Sequence, residues 1–148
     1  MLQRAILKSV RAAARIRYGT NTLGAAVAVL EVPRVLFVRD IHRRQELVLP
    51  GGFVRRGEEP AAAACRELNE EVGLIVDLST AESIVKIDGR FPHIHFLWRL
   101  SYLSDVHGDV SHKKSWETLT CEWHDLSALP RDVSPETREQ LRALSLIR

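Results

Sequence analysis

Glu67, Glu70 and Glu71 are acidic residues spaced three and four apart, in a stretch rich in helix-forming residues. At that spacing their side chains share one helical face. Ala61, Cys65, Leu68 and Val72 fall on nearly the opposite side, at intervals suited to core burial. One helix thus offers an apolar face to the fold and an acidic face to something else. Clustered carboxylates repel, at roughly 0.2–0.5 kcal/mol per exposed pair and more when partly buried. A divalent cation would turn that repulsion into attraction, and carboxylate oxygens are the hard ligands Mg²⁺ prefers. The competing reading is a solvated acidic face with Arg66 and Glu70 as an ordinary surface pair.

Leu49-Pro50-Gly51-Gly52 stands just ahead of this helix. Glycines let backbone approach a ligand closely and present a carbonyl or amide to it. A plain turn would use the same residues. The turn and the acidic helix together are more informative than either alone.

The elements that must position these groups follow from patterning. Gly24 to Leu30 and Arg34 to Arg39 are apolar, valine-containing runs split by Glu31, Val32 and Pro33, the pattern of neighbouring strands. Glu46 to Leu49 makes a third short run, stopped by Pro50. Pro60 opens the acidic helix and Gly73 closes it. Further strands are expected over Ser83 to Ile87, Ile94 to Leu103 and Leu119 to Trp123. Ile94, Phe96, Trp98, Leu100 and Tyr102 alternate onto one face of the longest. A last helix starts with Ser134 as cap and Pro135 at its first position and is expected to run to the C-terminus. The order predicts one domain of α/β (α+β) class, a sandwich of helices around a mixed sheet.

Ahead of it, Met1 to Tyr18 has no acidic residue and carries Arg4, Lys8, Arg11, Arg15 and Arg17, with Leu2, Ile6 and Val10 at helical spacing. Residues 1–18 are thus expected to form a basic amphipathic helix on the domain (19–148) or on a homodimer partner. A transit peptide or membrane-surface anchor is the alternative.

The segment from Gly52 to Leu74 resembles the complete Nudix box of the MutT-like hydrolases: Gly52, Glu58, Arg66, Glu67, Leu68, Glu70, Glu71, Gly73 and Leu74 hold its places without a departure. The flanking strands and the Glu122-Trp123-His124-Asp125-Leu126 ending resemble the family's layout too. The resemblance implies a Nudix α/β/α sandwich and hydrolysis of a pyrophosphate bond in a nucleoside diphosphate linked to another moiety. It implies Mg²⁺ (or Mn²⁺) on Glu67, Glu70 and Glu71, with the Gly51 carbonyl as a further ligand. Gly52, Glu58 and Arg66 would orient the site, Arg66 by holding Glu70.

Glu117 is the candidate general base beyond the box, since Trp116-Glu117 ahead of the Glu-Trp-x-x-Leu ending resembles the family's 8-oxo-dGTP pyrophosphatases. Glu122 is disfavoured because it points away from Trp123's face of the strand. Arg43, Arg44, Arg55 and Arg56 are candidates for phosphate contact. Phe53, Phe91, Trp98 and Trp116 are candidates for stacking a base, Trp98 reading first as core. His93 and His95 alternate on the polar face of a strand, as surface or substrate-facing groups. The rivals are an isoprenoid diphosphate isomerase, for which Cys65 and Cys121 are poorly placed, and a Nudix domain that only binds nucleotide or partner.

Bulk properties are those of an ordinary soluble globular domain. The chain has 148 residues, 45% of them hydrophobic and 27% charged. Its net charge of +2 gives no footprint for stable nucleic-acid binding. No apolar run approaches the roughly 20 residues a transmembrane helix needs. Two distant cysteines without metal-ligand spacing point to a cytoplasmic setting.

Overall fold

The computed structural model describes residues 23–87, 94–110 and 116–148. The expected basic helix of residues 1–18 lies outside the described residues.

β1 (Leu23–Glu31) is a continuous run of small and β-branched residues and forms the middle of a mixed sheet. It lies parallel to β6 (Ile94–Ser101), from Leu23 opposite Ile94 to Leu30 opposite Ser101. Its other edge is shared. The C-terminal end pairs antiparallel with β2 (Arg34–Asp40) across a turn holding a cis Val32–Pro33 bond. The N-terminal end pairs with the short β3 (Gly51–Phe53). Outer positions go to β8 (Thr118–Asp125) beside β2 and β5 (Ile84–Ile87) beside β6. A separate two-stranded sheet joins β4 (Ile75–Val76) to β7 (Val106–His107).

Both faces of the main sheet are covered, which explains why β1 reads as an unbroken apolar run. On one face Val27, Val29, Leu36, Phe96 and Trp98 pack with the helix α1 (Pro60–Val72). On the other, Ala28, Val35, Phe37 and Leu97 pack with α2 (Pro135–Ala143) through Leu141 and with Leu144 just beyond it. The layering is the expected α/β/α sandwich.

Local signals account for the helix ends. Gly73 closes α1 at φ 76°, a left-handed conformation that glycine adopts without a Cβ penalty. Ser134 caps α2, its hydroxyl accepting the Thr137 N–H at 3.0 Å.

Three expectations need correction. Glu46 to Leu49 makes only isolated bridges, Leu47 with Val133 and Val48 with Val38; the strand falls beyond Pro50, on Gly51–Phe53. Turn residues can sit in a strand here because β1 offers Gly51 and Gly52 partners in Ala26 and Ala25. Two element ends come early: the long strand stops at Ser101 rather than Leu103, and the last helix at Ala143 rather than at the C-terminus. The core stripe of α1 is centred on Ala63, Ala64, Leu68 and Val72, with Ala61 and Cys65 only partly buried at its edge. No helix among the described residues is long and apolar enough to cross a membrane.

Candidate active site

The acidic face of α1 looks toward β3, and the closeness of that approach is what the two glycines permit. A Cβ on Gly51 would lie 2.2 Å from the Ala25 carbonyl oxygen, inside the β1 backbone. A Cβ on Gly52 would lie 2.6 Å from Glu67 Oε1. The Gly51 N–H, freed to point at the helix, donates to Glu71 Oε2 at 2.8 Å.

Arg66 ties the remaining acids together. Its Nε and Nη2 donate to the two oxygens of Glu58 at 2.9 and 3.1 Å, a bidentate pair. Nη1 donates to Glu67 Oε1 at 2.5 Å and to Glu70 Oε2 at 3.4 Å, and Nη2 also reaches the Phe53 carbonyl at 3.1 Å. Glu70, the partner expected from helical spacing, makes the longest of these contacts. Glu58 instead closes the fork across the β3–α1 loop, where it also accepts the Arg55 N–H at 2.9 Å.

The electrostatics divide the acids into two kinds. The hydrogen bonds from Arg66 hold the Glu58 carboxyl below its usual range. Burial raises Glu67, Arg66 offsetting part of the effect. Burial pushes Glu71 up to about 8, with the nearby charges of Glu67, Asp40 and Glu70 adding to it against the Gly51 N–H. Among the described residues Glu71 thus has the Gly51 N–H as donor and several like charges around it.

Glu67, Glu70, Glu71, Asp40, Glu117 and Trp116 line one cleft of about 670 Å³. Glu117 comes from just before β8, far along the chain, and is held there as its carbonyl accepts the Ile41 N–H at 2.9 Å. Arg55 and Phe53 border the same cleft, Arg55 Nη2 standing 4.0 Å from Glu70 Oε1. Among the described residues no three acidic, histidine or cysteine side chains already converge as a metal cage; Glu67 and Glu70 are turned toward Arg66.

Other candidates fall elsewhere. Arg43 pairs with Glu136 at 3.2 Å and lines a second cavity, on the α2 side of the sheet. Arg44 and Arg56 are exposed and line neither space. Glu122 is engaged by His124 and Thr120, outside the cleft. Trp98 is core, as its spacing predicted, whereas Trp116 is 76% exposed at the cleft. The surface placement of His95 is overturned: it is buried against Gln140 and Glu136 on a cavity wall, because α2 covers that face of β6. His93 and Phe91 lie outside the described residues.

Sequence reading passed over Asp40, Glu136 and Gln140. Asp40 ends β2 and lines both spaces, and its Oδ1 accepts the His42 and Arg43 N–H groups at 2.7 Å each. A carboxylate at a strand end followed by a polar loop reads as a turn-former, so no local signal marked it.

The profile of the NUDIX domain matches residues 20–144. The chain belongs to the Nudix family. An ADP-ribose pyrophosphatase of Methanocaldococcus jannaschii is 32% identical over 83 residues, 56% of this Nudix chain and 48% of that protein. An 8-oxo-dGTP diphosphatase of Escherichia coli is 32% identical over 105 residues, 70% of this chain and 77% of that one. The chain therefore spans about half the length of the archaeal relative and most of the bacterial one. The crystal structure of a MutT NUDIX hydrolase from Burkholderia pseudomallei superposes with a TM-score of 0.65 at 21% identity, covering 84% of this chain and 98% of that one, a likeness of Nudix fold.

Proposed function

We propose that the protein hydrolyses a pyrophosphate bond in a nucleoside diphosphate linked to another moiety, using Mg²⁺ or Mn²⁺. The observation that carries this reading is the gathering of Glu67, Glu70, Glu71 and Glu117 around one cleft walled by Gly51. The names of the two relatives, an ADP-ribose pyrophosphatase and an 8-oxo-dGTP diphosphatase, support the reaction class and leave the attached group open.

The donor set fits a hard divalent cation. All its side-chain donors are carboxylate oxygens, and Glu71 is surrounded by like charge that a cation would neutralise. Glu67, Glu70 and Glu71, with the Gly51 carbonyl, would hold the ion. Bound there, it supplies charge neutralisation for the diphosphate and acidification of water. Arg66 orients Glu67 and, through Glu58, the loop that carries Arg55. Arg55, with its exposed guanidinium, meets the substrate phosphates, and Phe53 contacts the attached group. Glu117 accepts the proton of the attacking water at a carboxylate oxygen.

A hydrolysis screen of nucleoside triphosphates, nucleotide sugars and dinucleotides with Mg²⁺ or Mn²⁺ tests the reading. The expected result is cleavage of one class with phosphate, pyrophosphate or nucleoside monophosphate among the products. No turnover of any compound would favour a domain that only binds.

Glu117→Gln is expected to lower kcat by about 10²-fold with KM little changed, the signature of lost proton transfer. An unaltered kcat removes Glu117 from the site. Gly52→Ala is expected to displace the Glu67 carboxylate, a flexible group that can yield without unfolding the protein. Mn²⁺ affinity, followed by paramagnetic relaxation of water, should fall roughly tenfold or more. Unchanged affinity would separate Glu67 from the ion.

A further inference from the structure

Of the large apolar side chains exposed among the described residues, only Phe53 and Trp116 line the carboxylate cleft, at 48% and 76% exposure. Phe53 belongs to β3, whereas Trp116 stands just before β8 and next to Glu117. Successive side chains of a strand face opposite sides, yet Trp116 and Glu117 both line the cleft. The chain bends at these two residues and enters the strand only at Thr118, which is 1% exposed. The Glu117 carbonyl accepts the Ile41 N–H at 2.9 Å and so pins the backbone beside the indole. An anchored segment thus holds a largely uncovered ring over the cleft.

The surroundings of that ring narrow what can cover it. Arg55, Asn69, Glu70 and Glu117 share the cleft with Trp116, in place of the continuous apolar patch that a protein partner covers. A wall that joins one flat apolar face to charged groups matches a ligand of the same build, a planar ring tied to anionic oxygens. The cleft, at about 670 Å³, falls in the range that holds whole small molecules. An indole offers a π-face and a single N–H donor, so it recognises a ring by its face and not by its edge. A bare phosphate presents no such face.

We infer that Trp116 stacks on a planar ring carried by the group attached to the nucleoside diphosphate, which makes the substrate class a dinucleotide with a ring-bearing unit on each phosphate. The placing of the diphosphate at the carboxylates rests on the proposed hydrolase reading, while the preference for a ring is measurable without turnover. Stacking accepts any flat heterocycle, so Trp116 selects the class of the attached group and leaves its hydrogen-bonding edge unread.

NADH and ADP-ribose form the test pair, because they share adenosine diphosphate and the second ribose and differ in the nicotinamide ring. Calorimetric titration of the full chain, with Ca²⁺ in place of Mg²⁺, measures both affinities. NADH should bind about tenfold or more tightly than ADP-ribose. Trp116→Leu should bring the two affinities within about twofold, and Trp116→Phe should keep part of the gap because a phenyl face still stacks. Unfolding midpoints check that both variants are folded. With Mg²⁺ the gap should appear in KM rather than in kcat. Equal affinities, tighter ADP-ribose binding or no binding of either compound by the unsubstituted chain overturns the inference. So does a gap that survives in folded Trp116→Leu or vanishes in folded Trp116→Phe. A Trp116-dependent gap with no metal-dependent hydrolysis of any compound would sink the hydrolase reading and leave the stacking site standing.

Discussion

Glu71→Gln is expected to lower metal-dependent hydrolysis on the order of 10²–10³-fold while the protein stays folded. The amide keeps an oxygen for the Gly51 N–H but can supply no negative charge to a cation. The fold survives because burial pushes the Glu71 carboxyl up to about 8, so the native group is largely neutral at pH 7 already. Glutamine mimics that neutral state.

The same shift gives a pH signature whose sign is fixed. With the folded value above the ordinary carboxylate value of 4.5, the native state holds more protons than the unfolded state between them. Stability of the metal-free protein from this group is therefore full below about 4.5 and is lost as pH rises toward 8. The total is at most about 5 kcal/mol. Urea midpoints taken across that window should fall in the unsubstituted chain and run flatter in Glu71→Gln. Adding Mg²⁺ should flatten the unsubstituted profile too, since the ion stabilises the charged form. Parallel profiles for the two proteins would show that Glu71 is not the strained carboxyl.

Arg66→Ala is the second large effect, and it strikes stability and activity together. The guanidinium has a side-chain exposure of 16% and satisfies Glu58 and Glu67, themselves at 16% and 15%. Removing it leaves two poorly hydrated carboxylates without their guanidinium partner. Unpairing a fully buried charge costs 3–5 kcal/mol in typical cases; for these partly exposed groups about 2 kcal/mol is expected from urea unfolding at pH 7. Turnover should drop a further 10–100-fold in the folded fraction, because Glu67 loses its orientation.

Arg66→Lys should recover little, as a point charge cannot reproduce the two-pronged contact with Glu58. The acid limb carries a check. Arg66 depresses the Glu58 carboxyl, so its contribution is present above the ordinary carboxylate range and disappears as pH falls through the folded value. The stability gap between the unsubstituted chain and Arg66→Ala should accordingly narrow in acid. A gap that stays constant would mean that Arg66 acts by packing alone.

Much of this was legible along the chain because it is local. Glu67, Glu70 and Glu71 share a helical face by spacing alone, and Pro60, Gly73 and Ser134 mark helix ends by backbone preference. The alternation from Ile94 to Leu100 correctly put Trp98 in the core. Where reading failed, a neighbour distant in sequence decided. The Pro-Gly-Gly turn became strand because β1 was there to pair with it. His95, read as surface or substrate-facing, is kept from the surface because α2 closes over it.

The acidic helix with which the chemistry began is thus determined by sequence as to its residues and its face, since periodicity in one helix needs no tertiary information. Tertiary structure alone decided what surrounds that face. It gave Arg66 to Glu58 and Glu67 ahead of Glu70, brought Asp40 and Glu117 to the same cleft, and set the His95, Gln140 and Glu136 cavity behind β3. These groups come from five separate elements or their flanking loops. Their convergence depends on strand order and on helix packing across both sheet faces, which no spacing within a single segment encodes.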